Sequence, residues 1–166
     1  SIIFRLMFLF SIPNLSQDFY RFIWDGRMLL NGFNPYESLP ETFINQGLSP
    51  VFGAAELYEG MGELNGSHFS NYPPLNQLSF LIGALLGGNS ISWTVVALKV
   101  QVLFADIGIM IYGRKLLKKL GLHPNQIFWY ALNPLIIIEL TGNLHFEPVM
   151  LFFMVLSLYK LIQKKW

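Results

Sequence analysis

The chain has 166 residues, 53% of them hydrophobic and 16% aromatic, with only 13% charged and a formal net charge of +1. Soluble domains carry about 25% charged residues. Half that fraction, with long apolar runs and a mean hydropathy of +0.45, argues an integral membrane protein and against a soluble enzyme domain. The absence of cysteine excludes a disulfide framework and a cysteine-ligated metal centre. The bulk partner expected is the lipid bilayer, with no nucleic acid.

Residues 1–13, SIIFRLMFLFSIP, open the chain. They cover about 20 Å as a helix against the roughly 30 Å needed to span. They read as the outer part of a first spanning helix, in the N-terminal portion of a larger protein. An external loop over 14–91 follows. Within it, QDFYRFIWDGRMLLN reads as one helix, with Ser16 as N-cap and Gly32 as C-terminal stop. Phe19, Phe22, Ile23 and Leu30 give it an apolar side suited to the membrane interface. Asp18, Arg21 and Asp25 align on another stripe at i, i+3 and i+7. Residues 37–74 are rich in turn formers, with a short helix expected at 52–59 and an extended entry at NYPPL. The apolar run 75–86 covers about 18 Å, too short to span, and reads as a non-spanning helix. Spanning helices are then expected at 92–113, at 125–142 with a kink at Pro134, and at 149–163. The expected architecture is all-α and polytopic, with four transmembrane helices and a long external loop carrying interfacial helices.

Charge placement bears on orientation. Residues 14–73 carry two arginines against seven carboxylates, while basic residues cluster at 114–119 (Arg114, Lys115, Lys118, Lys119) and 160–165 (Lys160, Lys164, Lys165). With 75–86 non-spanning, both clusters fall on the cytoplasmic side and the long loop outside. The inverted arrangement, with everything charged inside, stays open.

The ordered series SQDFYRFIWDGR, NGFNPY, YPPL, FADIG, LNPL and GNLHFE covers nearly the whole chain. It resembles the N-terminal part of the GT-C superfamily, membrane glycosyltransferases that use polyprenyl-phosphate sugars, and within it bacterial mannosyltransferase-like proteins. The resemblance implies transfer of mannose to a glycan or glycolipid hydroxyl at the non-cytoplasmic face of the bacterial inner membrane, without cofactor or metal. It places the catalytic acid of the first external loop at Asp18. Where many members have paired acids, this chain has SQD, so Ser16 replaces the first. YPPL at 72–75 matches the aromatic-proline element closing the loop, and GNLHFE at 142–147 the external turn that contributes polar groups to the cleft.

The implied chemistry needs one base. A sugar hydroxyl attacks only when a positioned carboxylate takes its proton. The lipid phosphate leaves as a stable anion, so a general acid is less necessary than in glycoside hydrolysis. One base and no second nucleophile imply inversion. Candidate donor-phosphate or sugar contacts are Arg21, Arg27, Tyr20, Tyr36, Tyr72, His145 and Glu147.

Plainer readings stand beside these. An Asp at a helix N-terminus is commonly a dipole or capping residue. Asp25 is expected to pair with Arg21 on the helix surface. Arg27, turned away from Asp18 in an unbroken helix, reads as a headgroup anchor. Tyr20, Trp24 and Tyr36 equally suit an interfacial aromatic belt. Glu139 reads as structural. Asn14 and Asn65 fit the N-glycosylation pattern. The rival class is a transport or assembly subunit using intramembrane Asp106 paired with Lys99.

Overall fold

The computed structural model describes residues 1–163, so Lys164 and Lys165 of the second basic cluster lie outside the described residues. Every regular element among the described residues is helical: α1 Ile2–Phe8, α2 Asp18–Leu30, α3 Pro40–Asn45, α4 Ala54–Gly66, α5 Pro74–Gly87, α6 Ile91–Lys119, α7 Phe128–Ala131, α8 Pro134–Ile136 and α9 Glu147–Ile162. The chain divides into two compact units. One is Ile12–Leu98, and the other is Ser1–Ser11 with the chain from Lys99 onward.

In the 12–98 unit, α2 is the central helix. Phe19, Phe22, Ile23, Trp24 and Met28 are buried, and so are Arg21, Asp25 and Arg27. This corrects the expectation of an interfacial helix with one apolar face: α2 packs against both α4 and α5. Its approach to α5 is close because Gly26 has no side chain. A Cβ there would meet the Phe80 carbonyl oxygen at 2.3 Å. Beside that contact, Phe22 stacks on Phe80 with ring centroids 4.5 Å apart.

The boundaries also differ from expectation. The cap residue of α2 is Gln17, and Ser16 acts one step earlier, its Oγ accepting from the Asp18 backbone N–H at 3.3 Å. Gly32 does close the helix, at φ +78°. Helix α3, started by Pro40, lies in a stretch read as turns. Helix α4 runs well beyond 52–59 and breaks at Gly62, whose φ of 73° and ψ of 165° are open to glycine alone. Helix α5, opened by Pro74, matches the run read at 75–86. At about 21 Å it is too short to span.

Helix α6, most of which belongs to the other unit, runs for 29 residues, or about 43 Å. It is the one helix among the described residues long and apolar enough to cross a membrane. It continues past residue 113 through the whole first basic cluster. Residues 125–142, expected as one kinked span, are instead broken into a 3-10 turn at Pro124–Ile127, α7, α8 and a π-helical turn at Ile137–Gly142. Pro134 has no N–H and disfavours helical geometry at Asn133. Asn133 is accordingly extended at ψ 119°, and its side chain caps the next segment by accepting from the Leu135 N–H at 3.0 Å. The segment Pro134–Gly142 and helix α9 are bent by 116° and would pass as a span only if taken together. Four separate spanning helices are therefore not seen among the described residues.

Candidate functional site

Asp18 is the first residue of α2, half-buried, where the helix presents its unpaired N–H groups. A cleft of about 580 Å³ opens over it, lined by Asp18, Arg21, Asn65, His68, Ser70 and Tyr72 among others. Asn65 Nδ2 donates to Asp18 Oδ1 at 3.1 Å. The cleft thus joins the start of α2, the last turn of α4 and the segment leading to α5.

Beneath it is a buried polar network. Arg21 Nε meets Asp25 Oδ1 at 2.7 Å, and Arg21 Nη1 donates to the carbonyls of Asn65 (2.7 Å) and His68 (2.8 Å). The other oxygen of Asp25 accepts from Ser70 Oγ at 2.5 Å and Gln77 Nε2 at 2.8 Å. The expected Arg21–Asp25 pair forms, but in the interior: Asp25 is fully buried and Arg21 is 3% exposed. Arg21 Nη2 is buried and has no hydrogen-bond partner among the described residues.

The other candidates divide. Tyr72 lines the cleft, its ring set edge-on to Phe22 at 5.0 Å. Tyr36 donates from its hydroxyl to the Tyr72 carbonyl at 2.5 Å. Burial, and then the charge of Asp25, push the Tyr36 phenol above its ordinary pKa, so it remains a donor. Tyr20 packs its ring over Gly60 and beside Phe19. Arg27 is buried rather than anchored to headgroups: Nη1 donates to Phe52 O at 2.6 Å and Nη2 to Gly88 O at 3.3 Å. Desolvation lowers its pKa, opposed by Glu56.

His145 and Glu147 belong to the other unit, His145 in the turn after the π-helical segment and Glu147 as the first residue of α9. His145 Nδ1 is 3.9 Å from Glu147 Oε2, and its Nε2 is buried without a hydrogen-bond partner among the described residues. Leu144 beside them holds φ +60° while fully buried, a conformation costing about 1–2 kcal/mol in an L-residue. Glu139 accepts from Asn143 Nδ2 at 3.2 Å, fitting a structural role.

Asp106 does not pair with Lys99. Its carboxylate is fully buried, with Oδ2 2.5 Å from Arg5 Nε and Oδ1 accepting from the Tyr130 hydroxyl at 2.5 Å. Arg5 also donates to the Ala131 carbonyl at 2.9 Å. Lys99 Nζ lies among the backbone oxygens of Phe8 and Ser11, at 2.8 Å each, and of Gly142 at 2.9 Å. It caps the carbonyl ends of α1 and of the π-helical turn, where unsatisfied C=O groups collect.

Asn65, Ser70 and Gln77 carry no motif that would single them out as site residues. Asn65 and Asp18 are 47 positions apart, so no local spacing links them. The visible signal at Asn65 is the Asn-Gly-Ser triplet, which points to a turn or to glycosylation.

Comparison with known proteins points to one family. Residues 3–166 match the family described as alpha-(1->6)-mannopyranosyltransferase, N-terminal domain. The chain is 26% identical over 165 residues to alpha-(1->6)-mannopyranosyltransferase A of Corynebacterium glutamicum, covering 95% of this chain and 30% of that protein. It is 25% identical over 144 residues to the protein of the same name from Mycobacterium tuberculosis, covering 86% of this chain and 26% of that one. The chain thus spans under a third of the length of these curated relatives. No solved structure matches it significantly.

Proposed function

Since the chain belongs to the alpha-(1->6)-mannopyranosyltransferase family, over that family's N-terminal domain, we propose that the protein transfers mannose from a polyprenyl-phosphate donor to a glycan or glycolipid acceptor. The reaction takes place at the non-cytoplasmic face of the bacterial inner membrane, with α6 among the membrane-crossing helices. The (1->6) linkage in the relatives' names supports a 6-hydroxyl as the nucleophile.

Asp18 takes the proton of that hydroxyl as its oxygen bonds to the anomeric carbon. The bond to the donor phosphate breaks on the opposite side, the lipid phosphate departs as an anion, and the anomeric configuration inverts. The observation that carries this reading is the place of Asp18: a carboxylate at a helix N-terminus, opening on a polar cleft and held there by an amide donor. Arg21 supports it as the cation of the cleft. A buried donor without a partner is costly, and a phosphate oxygen reaching Arg21 Nη2 after a small adjustment would satisfy it. Tyr72 offers a ring face for a sugar. The geometry supports Tyr20 and Arg27 less well, since both are engaged elsewhere. Tyr36 acts through Tyr72. His145 and Glu147 are sugar or acceptor contacts proposed from family likeness.

Asp106 bonds Arg5 and Tyr130 rather than Lys99, which favours a structural role for it over the transport or assembly reading. The test is transfer of labelled mannose from polyprenyl-phosphate-mannose in membranes holding the complete gene product. Asp18→Asn at matched expression is expected to lower transfer by about 100-fold or more. Transfer unchanged in that variant would remove Asp18 as the base.

A further inference from the structure

The Asp18 side chain sits on the first turn of α2, with its own χ angles free to place either oxygen in several directions. General-base catalysis needs one oxygen within hydrogen-bond reach of a particular hydroxyl, and small misplacements are costly in rate. Asn65 Nδ2 donates to Oδ1 at 3.1 Å. That bond engages one carboxylate oxygen and restrains the rotation of the group, leaving Oδ2 for a substrate proton.

Asn65 is itself held from below. It lies in the last turn of α4, beyond the break at Gly62. Arg21 Nη1 bonds its backbone carbonyl at 2.7 Å and, three residues on, that of His68 at 2.8 Å, so one guanidinium nitrogen grips both ends of the turn. Arg21 is fixed in turn by Asp25, and Asp25 by Ser70 and Gln77, all with hydrogen bonds of 2.5–2.8 Å. Arg21, Asp25, Ser70 and Gln77 are all buried, with Arg21 and Ser70 also bordering the cleft, so most of these contacts compete little with water. The network reaches from α5 through α2 to the last turn of α4. Among its contacts, the Asn65 amide is the one bonded to Asp18.

We propose that Asn65 is a positioning residue for Asp18, and that the Gln77–Ser70–Asp25–Arg21 network sets its place. The inference rests on Asp18 being the base. Asn65 makes no bond to the reacting atoms; its donor orients the carboxylate that does.

The test measures kcat and KM for mannosyl transfer with the complete protein in detergent, alongside its melting temperature. Four variants are compared: Asn65→Ala, the near-isosteric Asn65→Leu, Ser67→Ala in the same turn, and Asp18→Asn. Both Asn65 variants are expected to lower kcat about tenfold or more with KM within about twofold, at a melting temperature close to wild type. Asn65→Leu removes the donor without opening space or adding charge, so its loss comes neither from a cavity nor from a second carboxylate beside Asp18. Ser67, whose hydroxyl bonds only within its own turn, should leave both constants unchanged. Wild-type kcat in the two Asn65 variants, with Asp18→Asn inactive, would overturn the positioning role and leave the base assignment standing. Active Asp18→Asn would overturn both. A kcat loss that appears only with a matching fall in melting temperature, or equally in Ser67→Ala, would make the turn merely structural and also overturn the proposal.

Discussion

Asp18 and Asp25 stand two turns apart on one helix, and their surroundings give them opposite fates. Asp18 opens on the cleft, whereas Asp25 is fully buried with both oxygens taken. Neutralising Asp25 leaves the Arg21 guanidinium buried without its counter-charge, a loss of about 3–5 kcal/mol for a broken buried pair. Asp25→Asn is therefore expected to lower the melting temperature in detergent and to reduce transfer, so it is no innocent control for Asp18→Asn. A melting temperature equal to wild type would refute this. The same logic applies to Asp106. Asp106→Ala strands Arg5 in the interior and should destabilise strongly. Replacing both partners, Arg5→Met with Asp106→Leu, should restore much of the loss, because similarly shaped apolar pairs often equal a buried ion pair. Thermal unfolding of the single and double variants decides it; a double variant worse than the single would point to a role beyond packing.

At the scale of the helix, the approach of α5 to α2 depends on one absent side chain. A Cβ at Gly26 would stand 2.3 Å from the Phe80 carbonyl oxygen and 2.7 Å from its carbon, both backbone atoms with little freedom to move. Gly26→Ala should force the helices apart and cost about 1–3 kcal/mol, visible as a lower melting temperature. Separating α2 from α5 also stretches the Gln77–Asp25 contact at 2.8 Å, so transfer should fall with stability. Gly32→Ala, at φ +78° with open space around it, should cost only about 1 kcal/mol of backbone strain. If the two alanine variants melted together, the close approach at Gly26 would not be the determinant of this packing.

For the molecule as a whole, the proposed topology is open to a direct measurement, because the chain has no cysteine. Helix α6, about 43 Å long, has the exposed residues Asn89 and His123 just outside its two ends. Single cysteines at these positions, Asn89→Cys and His123→Cys, should react with an impermeant maleimide from opposite faces of the membrane. Reaction of both from the same face would refute a crossing by α6.

Much of this architecture is legible in the amino-acid sequence. Low charge and long apolar runs imply lipid; Gly32 and Pro74 lie where helices end or begin, since their backbones permit little else, whereas the helix opened by Pro40 is hidden in a stretch of turn formers. The alignment of Asp18, Arg21 and Asp25 follows from helical periodicity, and the ordered motifs carry the family. Partners far apart in the chain are not legible. Nothing local says that Asp25 will meet Ser70 and Gln77, that Arg5 rather than Lys99 will answer Asp106, or that Asn65 will reach Asp18. Those pairings follow from which helices pack together, and packing is decided by the shapes and volumes of side chains meeting across the interior. Composition and periodicity report the apolar faces of the helices; only the tertiary structure decided which buried charge found which partner.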